Sequence, residues 1–232
     1  MREVPLFFFL AREYNLSTLA MSMKPKLTRR QILEACFTHG ALIAAAPISV
    51  TSLAAFAQGA TPTGKPTPEN ELGPFFKKGA PQTAVLRSPG DNGFPLKVTG
   101  RILNTRGDAV PEARVEVWQA DHVGKYDVAG YRYRARLPLN EKAEYAFDSV
   151  MPGHYPDRVC QHVHYLITAP GHKPLVTQLY FATDPVFEGN PTKNYGKEPL
   201  LQTPDLIRPV TLYEKPGDID AQVLFELCLE KA

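Results

Sequence analysis

The scarcities in this sequence narrow it first. Its 232 residues carry 26 Lys and Arg against 24 Asp and Glu, a net charge of +2, which is too little to argue for a nucleic-acid partner. The one stretch that mixes aromatic and basic residues as a single-strand binder does, "YRYRARL" from Tyr131 to Leu137, reads as a solvated loop or an edge strand. A membrane anchor needs about 20 predominantly apolar residues. The run "ALIAAAPISVTSLAAFA" falls short of that, broken by Pro47, Ser49, Thr51 and Ser52 with His39 just ahead. No internal repeat is visible. Cysteine is scarce too: beyond Ala57 only Cys160 and Cys228 remain, either one disulfide in an oxidising compartment or two buried thiols. With 44% hydrophobic residues, the chain has the composition of a soluble globular protein of one or two domains.

Residues 1–57 read as an export signal. In "LTRRQIL" a paired Arg29 and Arg30 follow Thr28, with Ile32 and Leu33 behind, and the weakly apolar run then ends in Ala55, Phe56, Ala57. That order resembles a twin-arginine signal with cleavage after Ala57, which delivers a mature chain beginning at Gln58 to the periplasm or the outside, with no membrane attachment. A lipoprotein reading through Cys36 finds no apolar region before it. "MREVPLFFFLAREYNLSTLA" places a second apolar cluster ahead of the motif, and a true start at Met21 or Met23 explains it most simply.

In the mature chain, residues 58–95 are rich in Pro, Gly, Thr and Lys and read as an extended arm containing "ENELGPFF". Alternation then begins. In "LKVTGRIL", Leu96, Val98, Gly100 and Ile102 share one face and Lys97, Thr99 and Arg101 the other, the period of a half-buried strand. "ARVEVWQA", "EYAFDSV", "HVHYLIT" and "PLVTQLYF" continue the habit between turn signals such as "NTRGD", "MPGHYP" and "APGHKP". "IDAQVLFELCLE" would suit a helix by content, but Ile219, Ala221, Val223, Phe225, Leu227 and Leu229 alternate strictly, which predicts a strand. Residues 96–232 therefore form a single-domain all-β sandwich with long loops and the arm in front of it.

One segment, "HYPDRVCQHVHY", gathers Tyr155, Cys160, His162, His164 and Tyr165. Buried unpartnered polar groups cost about 1–3 kcal/mol each, so such a cluster points to a shared partner. Pro156 argues against a helix here and the residues after Gln161 favour a strand. On a strand, His162 and His164 project the same way about 7 Å apart; on a helix they diverge. Two completions of a metal site compete. Cys160 lies on the same alternation and would make a zinc site with the two histidines, while Tyr155 would bring a phenolate suited to ferric iron. A satisfied surface histidine pair is the third reading.

Four motifs in register, "VEVWQADHVGKYD", "PGHYP", "QHVHY" and "VTQLYFATDP", resemble the catalytic domain of the intradiol ring-cleavage dioxygenases, the non-haem ferric enzymes related to protocatechuate and catechol dioxygenases. The resemblance runs from about Glu69 to the final strand. It implies Fe(3+) held by Tyr126, Tyr155, His162 and His164, with Tyr126 and His162 in the equatorial plane and Tyr155 and His164 axial, Tyr155 being released when substrate arrives. It implies a small aromatic diol and O2 as partners, and opening of the ring between the hydroxyl-bearing carbons to a cis,cis-muconate-type diacid. Gln178 matches a family position facing the substrate, though a plain surface glutamine is as good a reading. Many family members carry an arginine three residues before the first histidine. Val159 stands there in this chain, and Arg158, one position earlier, takes the role only if the backbone shifts. Trp118 reads as core, and His122, His154 and His172 as solvent-facing.

Three classes of function follow: a ferric dioxygenase, an exported sandwich that binds without turnover, and a zinc hydrolase built on Cys160, His162 and His164. The arm looks too short for the helical dimerisation domain of catechol dioxygenases, so a single-domain architecture fits better. A homo-oligomer is compatible with everything above.

Overall fold

The computed structural model describes residues 64–156, 158–215 and 218–232. The twin-arginine motif, the cleavage point after Ala57 and the first residues of the arm lie outside them. Among these residues ten strands form: β1 (Pro95–Asn104), β2 (Arg114–Trp118), β3 (Arg134–Leu137), β4 (Glu144–Val150), β5 (His162–Thr168), β6 (Leu175–Phe181), β7 (Ile207–Arg208), β8 (Thr211–Lys215), β9 (Asp218–Leu224) and β10 (Leu227–Leu229), with one short helix, α1 (Pro191–Asn194), after β6. Among the described residues no helix is long and apolar enough to cross a membrane.

The strands make two sheets. In the first, β3, β2, β5, β6 and β7 lie side by side in that order, antiparallel except for the β6–β7 pair. In the second, β1 is central: β4 runs antiparallel along one edge, β9 runs parallel along the first half of the other and β10 along its end. Period-2 alternation turns the apolar residues of each sheet toward the other. Val98, Ile102 and Phe147 of one sheet join Val115, Val117, Val163, Ile167 and Leu179 of the other in a single buried cluster. Each such side chain contributes about 1.5–3 kcal/mol on burial. Tyr165 spans the gap, its ring 6.2 Å from Tyr145 and 5.2 Å from Phe225.

The single strand expected over Ile219–Glu230 is two. β9 and β10 both follow β1, but the chain jogs between them at Phe225 and Glu226. Phe225 N–H donates to the Thr99 carbonyl (2.8 Å) and its own carbonyl accepts from the Tyr145 hydroxyl (2.6 Å). Gly100 makes room: a Cβ there would sit 2.0 Å from the Phe225 oxygen. The alternation of apolar residues survives the jog, which is why the pattern reads as one strand. "YRYRARL" contains the edge strand β3, as one of its two readings has it, yet Tyr133 and Arg134 are buried.

The arm is not free. Asn70 N–H donates to the Val176 carbonyl (2.8 Å), the Thr177 hydroxyl to the Pro68 carbonyl (2.7 Å), and Thr67 exchanges hydrogen bonds with Cys228 (3.0 and 2.8 Å). Farther along, Leu86 N–H donates to the Asp148 carbonyl (2.8 Å). The arm thus runs along the edge of β6 and reaches the site face at Glu71, whose carbonyl accepts from Gln178, and at Gly73, beside His164. Cys160 and Cys228 are both buried free thiols, which settles the disulfide question.

Candidate metal centre

Strand register assembles the centre of the site. β2, β5 and β6 pair so that Trp118 lies opposite His164, His164 opposite Gln178, and His162 opposite Tyr180. Residues directly opposite one another in antiparallel strands share a face. Five polar or aromatic side chains therefore stand together on the side of the sheet away from the core. The two imidazoles sit edge to face with centroids 4.8 Å apart, and Trp118 stacks flat on His164 at 4.9 Å.

Two loops bring the tyrosines. Tyr126 lies between β2 and β3 and Tyr155 between β4 and β5. The loops touch through glycine: a Cβ on Gly124 would lie 2.1 Å from the His154 carbonyl oxygen, and one on Gly153 would lie 2.5 Å from the Gly124 nitrogen. Without side chains at both positions the loops close, and Gly153 and Gly124 N–H both donate to the Asp121 carbonyl (2.7 and 3.1 Å). The phenol oxygens then arrive at one atom. Tyr126 Oη is 3.4 Å and Tyr155 Oη 3.3 Å from His162 Nε2. The arm completes the wall, with Phe75 stacked on Tyr126 at 4.1 Å and edge-on to Tyr155 at 6.4 Å. Arg134 locks this corner through the carbonyls of Phe75 and Asp127.

The start of β5 is pinned by two buried carboxylates. Asp184, in the "ATDP" turn, accepts Gln161 N–H at 2.7 Å, and Glu198 accepts Cys160 N–H at 3.1 Å. His162 Nδ1 donates to the Cys160 carbonyl at 2.8 Å, which fixes the tautomer and leaves a lone pair on Nε2. Burial, reinforced by the Arg158 charge, pushes the His162 pKa down to about 3. Burial, then His162 and Arg158, holds His164 well below the ordinary histidine range. Both imidazoles are therefore neutral at physiological pH, the form that binds a metal. Burial and the neighbouring Tyr155 push the Tyr126 phenol above its ordinary value, against the pull of Arg158 and Arg134.

These observations test the site for iron. One Nε2 lone pair faces two hydroxyl donors at distances long for O–H hydrogen bonds. Donors bound about 2 Å from one ion at right angles stand about 3 Å apart, so the spacing suits ligands of a common ion better than hydrogen-bond partners. His164 adds a second neutral nitrogen. Its Nδ1 is buried without a well-formed hydrogen bond, with the Glu71 backbone its nearest compensation. No group of three His, Cys, Asp or Glu side chains able to hold a metal forms among the described residues, so an ion here must draw on the tyrosines. The donor set fits ferric iron, whereas Cys160, His162 and His164 do not come together as a three-ligand zinc group, the Cys160 side chain lying in the core cluster.

Beside the four donors lies a polar cluster. Arg158 is buried and Val159 is exposed; Arg158 N–H donates to the Tyr155 carbonyl in a tight turn (2.9 Å). Its Nη2 donates to Gln178 Oε1 and to the Tyr180 hydroxyl, both at 2.7 Å, and its Nε to Glu198 at 3.1 Å. Gln178 is fully buried, which removes its surface reading; its amide donates to the Glu71 carbonyl at 2.7 Å.

Sequence reasoning missed several neighbours. Trp118 is core by burial, but its ring faces His164 rather than the sandwich interior. His154 is exposed as expected but hydrogen-bonds Asp184 at 3.1 Å. Tyr180 follows from the β5–β6 register once Gln178 is placed. Phe75 and Glu198 carried no signal of their own.

A family model described as "Dioxygenase" matches residues 72–230. The hydroxyquinol 1,2-dioxygenase of Nocardioides simplex is 32% identical over 151 residues, 54% of this chain and 50% of that protein. The enzyme of the same name from Rhodococcus opacus is 34% identical over 160 residues, 59% of this chain and 53% of that protein. The chain thus spans about half the length of these relatives. Among solved structures, the dioxygenase domain of a dioxygenase carbohydrate-binding protein fusion from Streptomyces sp. SirexAA-E superposes with a TM-score of 0.60 at 28% identity, covering 72% of this chain and all of that one. The β-sandwich with its Tyr and His donors and the matched region together place this chain in the intradiol ring-cleavage dioxygenase family.

Proposed function

We propose that this protein is a ferric intradiol dioxygenase that opens a catechol-type ring between its hydroxyl-bearing carbons with O2, giving a cis,cis-muconate-type diacid. The observation that carries the reading is the convergence of the Tyr126 and Tyr155 hydroxyls on His162 Nε2 beside His164. Tyr126, Tyr155, His162 and His164 would hold the iron, which when bound draws electron density from a catecholate and makes its ring reactive toward oxygen.

The chain's own groups do the rest. Tyr155 is half-buried, and its Oη would take a proton from an arriving diol. Phe75 and Trp118 wall the donors off from water. Arg158, steadied by Gln178 and Tyr180, presents a guanidinium N–H to the electron-rich ring oxygens. The hydroxyquinol 1,2-dioxygenases among the relatives support an aromatic diol as substrate, and the full-length match to a separate dioxygenase domain supports catalysis by the sandwich without a helical domain.

Iron content, the visible tyrosinate band and the product of catechol turnover test this reading. Stoichiometric iron, a coloured protein and a diacid are expected. A colourless active zinc protein, or a semialdehyde from cleavage outside the diol, would overturn it; tight catechol binding without turnover would favour the binding module.

We further propose export through residues 1–57, because folding around iron in the cytoplasm suits a route that carries folded proteins. Replacing Arg29 and Arg30 by Lys is expected to retain the precursor inside the cell, and an exported protein that keeps Met21 to Ala57 would refute the cleavage after Ala57.

A further inference from the structure

Behind Arg158 sits a buried carboxylate to which the ring-cleavage reading gives no part. Glu198 is 1% exposed. It follows a 3-10 turn, Tyr195–Lys197, and its backbone is tied on both sides, N–H to the Tyr195 carbonyl (3.1 Å) and carbonyl to Leu201 N–H (3.0 Å). Oε1 accepts Arg158 Nε at 3.1 Å and Leu200 N–H at 3.3 Å, and Oε2 accepts Cys160 N–H at 3.1 Å. The Cys160 carbonyl holds His162 Nδ1. One carboxylate therefore fixes both the arginine and the backbone that sets the histidine tautomer. With Nε on Glu198 and Nη2 on Gln178 and Tyr180, Nη1 is the guanidinium nitrogen without a partner among the described residues, and it is not sealed from solvent.

We propose that Glu198 is a positioning and specificity residue that aims Arg158 at the site and cancels its charge, so that the pocket takes catechols without a carboxylate in preference to carboxylated ones. This rests on the ring-cleavage reading above. An unpaired guanidinium in a desolvated pocket attracts any anion, whereas one held 3.1 Å from a buried carboxylate acts as a dipole whose pull falls off faster with distance. Arg158 remains a hydrogen-bond donor toward a ring oxygen through Nη1, but the long-range attraction for a second negative group is gone. Arg134, the other buried cation near Tyr126, is bound to backbone carbonyls and is the same in every variant below, so it drops out of the comparison.

The test uses the iron-loaded full chain. Anaerobic dissociation constants for catechol and 3,4-dihydroxybenzoate are read from the change in the visible band, followed by kcat and KM in air. In Glu198→Gln, affinity for catechol is expected to fall, while the affinity ratio of 3,4-dihydroxybenzoate to catechol rises by about tenfold as the arginine charge is unmasked. A merely structural role predicts equal weakening of both ligands, and an unchanged ratio overturns the proposal. If Glu198→Gln does not fold, the double variant Arg158→Met, Glu198→Gln leaves no charge unpaired and answers in its place: catechol binding should weaken with the ratio unchanged, and undiminished catechol affinity overturns the proposal. An unsubstituted protein that binds no catechol overturns the ring-cleavage reading and this proposal together, whereas active unsubstituted protein with an unaltered ratio in Glu198→Gln overturns this proposal alone.

Discussion

The two faces of the β2–β5–β6 sheet are built from neighbouring residues of the same strands and obey opposite rules. On β5, Val163, Tyr165 and Ile167 face the second sheet and fill the core, while His162 and His164, one residue away each time, face the arm and the tyrosine loops. Both sets are buried. On the core face each buried side chain gains by leaving water. On the site face burial is unfavourable until every polar atom finds a partner, and two atoms there, His164 Nδ1 and Trp118 Nε1, lack one. Those two atoms lie on the same face as the His162 nitrogen on which the Tyr126 and Tyr155 hydroxyls close. The core face sets stability, the site face sets chemistry, and single substitutions can separate the two.

The largest separation is expected from Tyr126→Phe. It removes one oxygen whose contact with His162 is a poor hydrogen bond at 3.4 Å, so the melting temperature of the metal-free protein should hardly move. Loss of an anionic ligand should bleach or shift the visible band, weaken iron retention and lower turnover by more than about 100-fold, beyond the range seen for groups that only support ligands. Iron analysis and catechol turnover check it; a variant with full iron and full activity would remove Tyr126 from the donor set.

Leu179→Ala, on the core face of β6, reverses the pattern. A fully buried leucine truncated to alanine costs about 2–5 kcal/mol, read as a drop in the denaturant midpoint. Iron bound per folded molecule and turnover per iron should stay as they are, because Leu179 lies on the opposite side of the strand from Gln178 and Tyr180. Loss of iron from the folded fraction would show that the two faces are coupled.

Much of this was legible because alternation is a local signal. β4 and β5 run over the segments "EYAFDSV" and "HVHYLIT" that the period picks out, and β1, β2 and β6 differ from theirs by a residue or a few at the ends. β3 was obscured because Arg134, opposite Trp118 on the site face, is buried although charged, and its burial depends on carbonyls of Phe75 and Asp127 that are distant in sequence or in a loop. The break between β9 and β10 was hidden because Gly100 and Tyr145, on other strands, create it. In the site, the His-x-His pair was read from strand period and Tyr155 from the segment beside it, whereas Tyr126 came from resemblance alone. Glu198 could not be read at all: its role comes from meeting Arg158 forty residues away, and nothing in "GKEPL" announces that.

Cys160→Ser sharpens the comparison at the boundary between the faces. The thiol is buried in the core cluster, while its backbone N–H and carbonyl serve Glu198 and His162. Exchanging sulfur for a hydroxyl in apolar surroundings should cost about 1–3 kcal/mol. The backbone contacts survive, so iron and colour should stay. Iron loss without unfolding would restore the thiol as a ligand.

The smallest effect is expected from Tyr165→Phe, the same atomic change as in Tyr126→Phe made on the other side of the sheet. The Tyr165 ring is fully buried between Tyr145 and Phe225. Its hydroxyl lies beside that of Tyr145 without a hydrogen bond of good geometry, and Tyr145 already donates to the Phe225 carbonyl at 2.6 Å. Removing a buried hydroxyl that lacks a good partner relieves a desolvation penalty and opens only a small void, two terms that nearly cancel, so stability should change by less than about 1 kcal/mol in either direction. Iron, colour and turnover should match the parent, since no site residue touches this ring. Thermal melts and the visible spectrum decide it. A loss of several kcal/mol would mean that the hydroxyl is satisfied through Tyr145 after all, and a changed visible band would mean that the core packing reaches through the sheet to the iron donors one residue away.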